Sequence, residues 1–378
     1  MTDHRLNRRH ILIGGAAAFA AAPGVAFAQA PRLYERATVI DALGGPGGSK
    51  GDGEEPFERL TQRHLDDVKA SGVSALHVTI SDVGNKHDAF QNTIFQLSWF
   101  EREIDAHPDR FLRVRRASDI AAAKASGRTG IIYGFQDLTP LMADIDNIEM
   151  FGALGVRVMQ LSYNLRNIAG DGCLEPANGG LSLFGRQAVE EINKQKILLD
   201  GSHGGVRLID ETIALSSAPM AVTHSGCRAL NDVPRNIPDK TMRALANKGG
   251  VMGVYFMPFL KAKGQPRSED LLRHIDHALK VCGEDHVGLG TDGLVSGEKI
   301  DDPKFQEAHK KFFEARKEAG VSAPGEAADV YNIIPEYNDP RRLERLAFDL
   351  SKRGHADRVI EKVLGGNFMR LFGEVWGA

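Results

Sequence analysis

Short apolar runs rich in β-branched residues recur along the chain and alternate with amphipathic stretches. Eight runs are predicted as strands, at residues 38–42, 75–80, 130–135, 156–163, 196–202, 220–224, 250–256 and 287–291. They are apolar nearly throughout, which is typical of strands buried on both faces of a parallel sheet. The stretches between them have helical spacing, and the clearest are residues 57–70, 144–154, 183–193, 240–246 and 270–281. This alternation indicates successive βαβ units.

Eight strand–helix units are the number that closes a (β/α)8 TIM-type barrel, and we predict this α/β fold as a single domain over residues 31–378. An open, doubly wound sheet is the competing architecture, but its glycine fingerprint after the first strand is missing. The glycine run at 44–48 has the wrong spacing for that fingerprint, so we expect a flexible loop there. Residues 295–340 break the repeat with a charged helix at 305–319, and we expect a lid over the barrel mouth.

The first thirty residues have the pattern of an export signal. Arg8 and Arg9 precede an apolar stretch, and small residues up to Ala30 supply an A-x-A-like cleavage site. The arginine pair resembles a twin-arginine signal, whose receptor exports folded proteins. The alternative is an uncleaved anchor, but the stretch is barely long enough to span a bilayer and contains Gly and Pro. We therefore expect a periplasmic protein that begins near Gln29 and keeps no stable membrane anchor.

Composition narrows the function classes. The 378 residues are 42% hydrophobic and 26% charged, which excludes a disordered chain, a fibre and a coiled coil. The 47 basic and 50 acidic residues give a net charge of −3, so we expect no nucleic-acid partner. Three widely spaced cysteines exclude a disulfide framework and a CxxC zinc site.

Polar side chains follow several predicted strands, at the end of a barrel where chemistry gathers. In chain order they are Gln136, Tyr163, Asn164, Asp200, His203, His224, Tyr255 and Asp292. His203, His224 and Asp292 would converge on one point, and imidazole with carboxylate is an ordinary zinc set. The alternative, that these are structural residues, would bury several polar groups at one mouth at a cost in free energy. We expect His274 and His277, on an outer helix, to be solvated.

Longer motifs follow one another in a specific order. They are Gly-Val-Arg at 155–157, Gln-Leu-Ser-Tyr-Asn at 160–164, Gly-Leu-Ser with Phe-Gly at 180–185, Asp-Gly-Ser-His at 200–203, Thr-His-Ser at 223–225, Pro-Arg-Asn-Ile at 234–237, His-Val-Gly-Leu-Gly-Thr-Asp at 286–292 and Gly-Gly-Asn-Phe at 365–368. With these motifs the chain, from about residue 35, resembles the renal or membrane dipeptidase family, peptidase family M19. This family is a metal-dependent branch of the amidohydrolase-like barrels.

The resemblance implies roles for individual residues. His203 and His224 match two metal ligands of the family, and Asp292 matches its catalytic acid/base. Arg235 matches an arginine that contacts the substrate, and Tyr163 replaces a substrate-side His. The expected substrate-binding residues are Arg235, Tyr163, Asn164 and Tyr255. Family members are commonly homodimers, so a homodimer is the implied oligomer.

Other ligands of the family are replaced. Its His-x-Asp pair after the first strand is Leu43 and Gly45 here, and its bridging Glu is Gln136. Leu43 and Gly45 offer no lone pair, so one of the two metal positions cannot be built as the family builds it. We predict one zinc ion or none, since a single zinc with two or three protein ligands still activates water. The predicted ligands are His203, His224 and Gln136.

The leading hypothesis is a periplasmic hydrolase that cleaves the amide bond of dipeptides or similar N-acyl amino acids through a metal-activated water. The resemblance implies a small, closed pocket for such substrates. A second hypothesis is a non-peptidase of the same fold with little or no metal, acting as a maturation protein, isomerase or ligand-binding protein. The simultaneous replacement of several metal-site residues favours it. A third hypothesis is a degenerate scaffold without a site.

Overall fold

The computed structural model describes residues 32–47, 59–84 and 87–377, and the predicted signal at residues 1–30 lies outside them. The strands within these ranges are β1 (Ile40–Asp41), β2 (Gly44–Gly45), β3 (Ala75–Thr79), β4 (Phe111–Arg113), β5 (Thr129–Phe135), β6 (Val156–Gln160), β7 (Leu198–Asp200), β8 (Ala221–Ser225), β9 (Val251–Val254), β10 (Val287–Leu289) and β11 (Gly293–Leu294). Every predicted apolar run overlaps one of the barrel strands.

Eight parallel strands form a nearly closed barrel in the order β1-β3-β5-β6-β7-β8-β9-β10, and β4 pairs with β5 outside this path. Between the last strand and the first, Ala42 N donates to Leu289 O at 2.9 Å. Closer to the mouth β11 pairs in parallel with β2. The predicted (β/α)8 architecture is confirmed.

Helices cover the outside of the barrel. They lie at Gln62–Ser71, Ala89–Ala106, Ala117–Ala125, Asn147–Leu154, Leu183–Lys194, Val206–Leu215, Asp239–Asn247, Ser268–Cys282, Pro303–Glu318, Arg342–Lys352, Asp357–Glu361 and Asn367–Trp376. The last of these packs against residues near the amino ends of the strands, among them Ala75, Ala221 and Val251, in one apolar cluster. That end is filled with side chains, so a polar site belongs at the opposite end. Within the described ranges no helix combines the length and apolarity needed to cross a bilayer.

Two expectations about local structure were wrong. Gly44 and Gly45 form β2 rather than a flexible loop, because pairing with β11 orders their backbone. A side chain is excluded at Gly44, where a Cβ atom would lie 2.5 Å from Asp41 Oδ2. His274 is buried, not solvated, since its Nδ1 accepts from Cys227 N at 2.9 Å and its Nε2 donates to Leu260 O at 3.1 Å. His277 is half-buried and pairs with Asp239.

The junction of the first and last barrel strands depends on a buried carboxylate. Asp41 Oδ1 accepts from Thr291 N at 2.7 Å, and its Oδ2 accepts from Thr291 Oγ1 at 2.6 Å. Leu43 N donates to Oδ1 at 3.3 Å. Burial raises the pKa of Asp41 from 3.8 to about 6, although these bonds and the nearby Arg342 act in the opposite direction. Asp41 therefore ties β1 to the residues that follow β10.

We expect Asp41→Asn to remove a pH dependence of stability. The carboxyl holds its proton to higher pH in the native state than in the unfolded chain, so its contribution to the free energy of unfolding is present below about pH 4 and is lost as the pH rises to about 6. The change is about 3 kcal/mol. Urea unfolding at about pH 4 and about pH 7 measures it. Exposed Asp109→Asn is the control, and parallel profiles for wild type and Asp41→Asn would contradict the assignment.

Candidate metal centre at the barrel mouth

An irregularity in β8 sets the position of His224. The pairing of β8 with β9 shifts register between Val222 and Ser225, and His224 lies inside this interval. The neighbouring strand accommodates the shift because Gly253 has no side chain: a Cβ there would lie 1.8 Å from Thr223 O. Irregularities of this kind re-aim side chains next to active sites. Here the side chain is fully buried at the mouth.

Three residues of the mouth have a left-handed backbone. The φ angles of His203, Asn164 and Asp292 are 60°, 55° and 58°. Such values are uncommon outside glycine, although Asn, Asp and His adopt them more readily than other residues. A conformation of this kind costs about 1–3 kcal/mol and persists where the surrounding contacts impose it, typically at functional sites.

These backbone turns bring three potential ligands together. The nearest donor atoms of His203, His224 and Asp292 all lie within 4.8 Å of one another. The two imidazole centroids are 5.0 Å apart. Gln136 joins the group through its amide nitrogen, which lies 3.4 Å from His224 Nε2. The predicted convergence of the strand ends is therefore present in the structure.

The hydrogen bonds of His203 define its tautomer. Asn164 Nδ2 donates to Val321 O at 2.8 Å, which fixes the amide orientation. Asn164 Oδ1 then faces His203 Nδ1 at 2.6 Å and accepts its proton in a hydrogen bond. The opposite nitrogen, Nε2, carries a lone pair, and no described residue offers this buried atom a hydrogen bond. His203 thus presents an available lone pair at the mouth.

A second relay orients His224 in the same way. Thr223 Oγ1 donates to Asp200 Oδ2 at 2.5 Å and lies 2.8 Å from His224 Nδ1. Because the hydroxyl proton is used on the carboxylate, the hydroxyl oxygen accepts from Nδ1, which leaves the lone pair on Nε2. Metal-binding histidines usually hold their other ring N–H in this manner. Both histidines therefore have the form that a cation requires.

Burial and a nearby arginine keep the two histidines neutral. Desolvation lowers the pKa of His203 and of His224 well below 6.5, and the charge of Arg235 lowers both further. Arg235 is only 2% exposed and donates through Nη2 to His224 O at 3.1 Å. Its guanidinium lies 5.3 Å from the centroid of the Tyr255 ring, and the hydroxyl of Tyr255 donates to Asn236. Arg235 is thus held next to the histidines, in contact with the backbone of His224 and the ring of Tyr255.

The segment expected to form a lid reaches this centre at two points. Tyr163 stacks on His203 with ring centroids 4.0 Å apart, and its hydroxyl accepts from Arg316 at 3.1 Å. Arg316 also pairs with Glu326 at 2.8 Å. The second point is the bond from Asn164 to the carbonyl of Val321. Tyr163 and Asn164, expected as substrate contacts, therefore hold His203 and the segment together.

A cavity of about 730 Å³ opens at the mouth, and it meets the centre through Asp292, since His203 and His224 are not among its described lining residues. Asp292 and Gln136 lie on its wall, and so do Leu43 and Gly45, which replace the His-x-Asp pair. Arg235 and Tyr255 are not among its described lining residues. Its volume lies within the range of about 300–1,000 Å³ that is typical of pockets for drug-sized ligands.

The described donor set is suited to a divalent cation. Two neutral imidazole nitrogens and the carboxylate of Asp292 are suitable ligands for a single divalent ion. Leu43 and Gly45 supply no donor where a second ion would need them. Gln136 presents nitrogen to His224, so its amide oxygen would join the ligands only after the amide turns over.

The barrel and its donor set define a class of protein, the amidohydrolase-like barrels built to hold a metal at the mouth. Within that class the family is shown by sequence. Residues 28–304 match the model of the membrane dipeptidase family (peptidase family M19), and the chain belongs to that family. It is therefore a dipeptidase-like member of a metallopeptidase family.

Individual relatives agree with this assignment. An uncharacterized protein encoded in the pqqA 5′ region of Klebsiella pneumoniae is 30% identical over 73% of this chain and 93% of its own length. The dipeptidase verJ of Clonostachys rogersoniana is 26% identical over 78% of this chain and 67% of its own length. The crystal structure of an amidohydrolase from Pseudomonas aeruginosa has 30% identity and a TM-score of 0.79, covering 92% of this chain and 99% of that one.

Sequence reasoning did not assign the residues that orient the histidines. Thr223 and Asp200 belong to the quoted motifs, but the sequence does not show that one hydroxyl bridges the carboxylate and the imidazole. A usable signal exists: Thr223 is adjacent to His224, and Asp200 precedes His203 by three positions at a strand end. Polar residues this close to ligands commonly hold them in place.

We expect Thr223→Val to weaken Zn²⁺ binding by about 10- to 100-fold, since such supporting partners contribute that much to metal affinity. Valine has nearly the same shape but cannot accept the Nδ1 proton of His224. Thr223→Ser keeps the hydroxyl and should bind as the wild type does. Competition with a chromophoric chelator measures the affinity, and urea unfolding verifies the fold. Equal affinities for the valine and serine variants would contradict the relay.

Proposed function

We propose that this protein is a periplasmic metallohydrolase that binds one divalent cation, zinc in the first instance, and cleaves the amide bond of dipeptides or similar N-acyl amino acids. One observation carries the proposal: a ring nitrogen of His203, a ring nitrogen of His224 and a carboxylate oxygen of Asp292 all lie within 4.8 Å of one another. Membership of a dipeptidase family supports the reaction class. The twin-arginine pattern supports export, and the family resemblance supports a homodimer.

The ion would be held by His203 and His224, with a carboxylate oxygen of Asp292 within reach. A bound divalent cation polarises a carbonyl group and lowers the pKa of water. Asn164 and Thr223 hold the Nδ1 protons of the histidines, so neither ring rotates away from the mouth.

We assign proton transfer to Asp292 because it lies on the cavity wall beside the histidines. Its carboxylate accepts the proton of the attacking water and donates it to the leaving amine. The bond from Asp292 N to Leu43 O at 2.7 Å holds its left-handed backbone at the mouth. Burial, together with the charge of Arg235, favours the unprotonated form of both histidines.

A second function has its own supporting observation. The amide nitrogen of Gln136 lies 3.4 Å from His224 Nε2, in reach of the lone pair that a metal would use. With that contact in place, the centre would bind an organic ligand whose N–H or O–H group donates to His203 Nε2. This is the metal-free, non-peptidase alternative of the same fold.

Elemental analysis of the mature protein separates the two functions. Purified from the periplasm without a chelator or metal-affinity tag, the wild type should contain about one zinc per chain. The double variant His203→Ala/His224→Ala should contain no stoichiometric zinc. His309→Ala changes a cavity-lining histidine outside the ligand group and should keep the zinc. No stoichiometric metal, even after zinc is supplied, would reject the metallohydrolase and leave the metal-free function.

We expect Asp292→Asn to lower kcat for dipeptide hydrolysis by about 10²- to 10⁴-fold, the usual contribution of a positioned acid/base. Asparagine keeps the shape of the side chain and tolerates the left-handed backbone, so urea unfolding should change little. Asp109→Asn, on the exposed surface, is the control and should keep full turnover. An unchanged kcat in Asp292→Asn would remove this residue from the mechanism.

A further inference from the structure

The cavity has an apolar wall on the side where the family ligands are replaced. Leu43 lies there at the end of the first strand, and Trp99 and Phe100 face it from the helix Ala89–Ala106. These three side chains are 3%, 5% and 6% exposed, and the two aromatic rings meet edge to face with centroids 4.8 Å apart. The inner wall is therefore a packed, preformed apolar surface.

A second part of the lining comes from the helix Pro303–Glu318. Phe305 and Phe312 line the cavity from that helix, and Phe312 remains 49% exposed. Ala308 lines it between them. The lining thus combines buried and exposed aromatic rings, and an apolar group that enters the cavity removes apolar surface of this lining from water.

The charged residues of the wall do not offer an anion site. Among its described lining residues they are Asp292, Glu298 and Arg342. Arg342 donates to backbone carbonyls of residues 294, 295 and 339, which occupy much of its guanidinium. Burial raises the pKa of Glu298, which favours its neutral form. The cavity thus suits an uncharged group better than a carboxylate.

We propose that this cavity is a side-chain pocket that selects substrates with a ring-sized apolar group beside the scissile amide. The substrate class is then aromatic or branched aliphatic dipeptides and N-acyl amino acids. The apolar group occupies the side of the mouth where Leu43 and Gly45 stand, in place of a second cation. Cleavage of these substrates rests on the proposed function, whereas selective binding of the apolar group does not.

Binding is measured with neutral probes that need no turnover. N-acetyl-phenylalaninamide and N-acetyl-alaninamide differ only in a phenyl ring, and burial of that ring should make the first bind about 10- to 100-fold more tightly. Trp99 reports binding through its fluorescence. The chain contains two tryptophans, and the second, Trp376, bonds to Arg157 O on the C-terminal helix away from the cavity. Trp376→Phe confirms that the signal comes from Trp99.

A filled pocket supplies the matched test. Ala308→Phe places a ring in the cavity, whereas Ala315→Phe adds the same ring to the same exposed helix at a position that does not line it. We expect Ala308→Phe to lower the affinity for N-acetyl-phenylalaninamide at least 10-fold and to leave the affinity for N-acetyl-alaninamide unchanged. Ala315→Phe should bind both probes as the wild type does. Circular dichroism and urea unfolding verify that both variants fold.

The outcomes separate the two proposals. Equal affinity for the two probes, or no effect of Ala308→Phe, overturns the pocket even if the protein contains zinc and cleaves dipeptides. Selective binding in a protein without metal supports the pocket and rejects the hydrolase. Selective binding together with a higher kcat/KM for phenylalanyl than for alanyl dipeptides supports both.

Discussion

The mouth of this barrel depends on the bond between Asp41 and Thr291. That buried carboxylate joins the first strand to the residues after the last, and the next bond along, from Asp292 N to Leu43 O, holds the left-handed turn of Asp292. The closure of the barrel therefore fixes two residues of the mouth. They are Asp292, which is assigned to proton transfer, and Leu43, which stands where the family has a metal ligand. This closure costs free energy because the Asp41 carboxylate is removed from water, and the raised pKa of Asp41 reflects that cost.

Burial also determines the state of the histidine pair. It sets the protonation state of the two rings, and the hydrogen bonds to Asn164 and Thr223 set their tautomers. Neither ring can hold a proton on both nitrogens, because desolvation and Arg235 lower both pKa values. Neither can exchange its nitrogens, because Asn164 and Thr223 each accept at Nδ1. No described residue offers a hydrogen bond to the lone pair of His203, and the lone pair of His224 meets the amide nitrogen of Gln136 at 3.4 Å. The unsatisfied lone pair is the physical reason to expect a cation or a donor there.

Most of the fold could be predicted from local patterns in the sequence. Apolar runs buried on both faces are visible in sequence, and the polar residue after each run marks the mouth, which located His203, His224 and Asp292. Contacts between distant segments were not visible. The pairing of β2 with β11, the burial of His274 and the contact of Tyr255 with Arg235 all depend on what packs opposite them. The size of the cavity could not be predicted for the same reason, since several separate segments form its walls.

The carbonyl of Val321 has a consequence that extends beyond the centre itself. It fixes the amide of Asn164, which fixes the tautomer of His203, so any movement that withdraws this carbonyl also loosens a potential ligand. Occupancy of the centre and placement of the segment are then thermodynamically coupled, and such coupling is reciprocal. A ligand that binds more tightly to the oriented imidazole stabilises the docked segment. Docking of the segment strengthens the binding of that ligand by the same free energy. Opening the mouth therefore carries a free-energy penalty that depends on what the mouth contains.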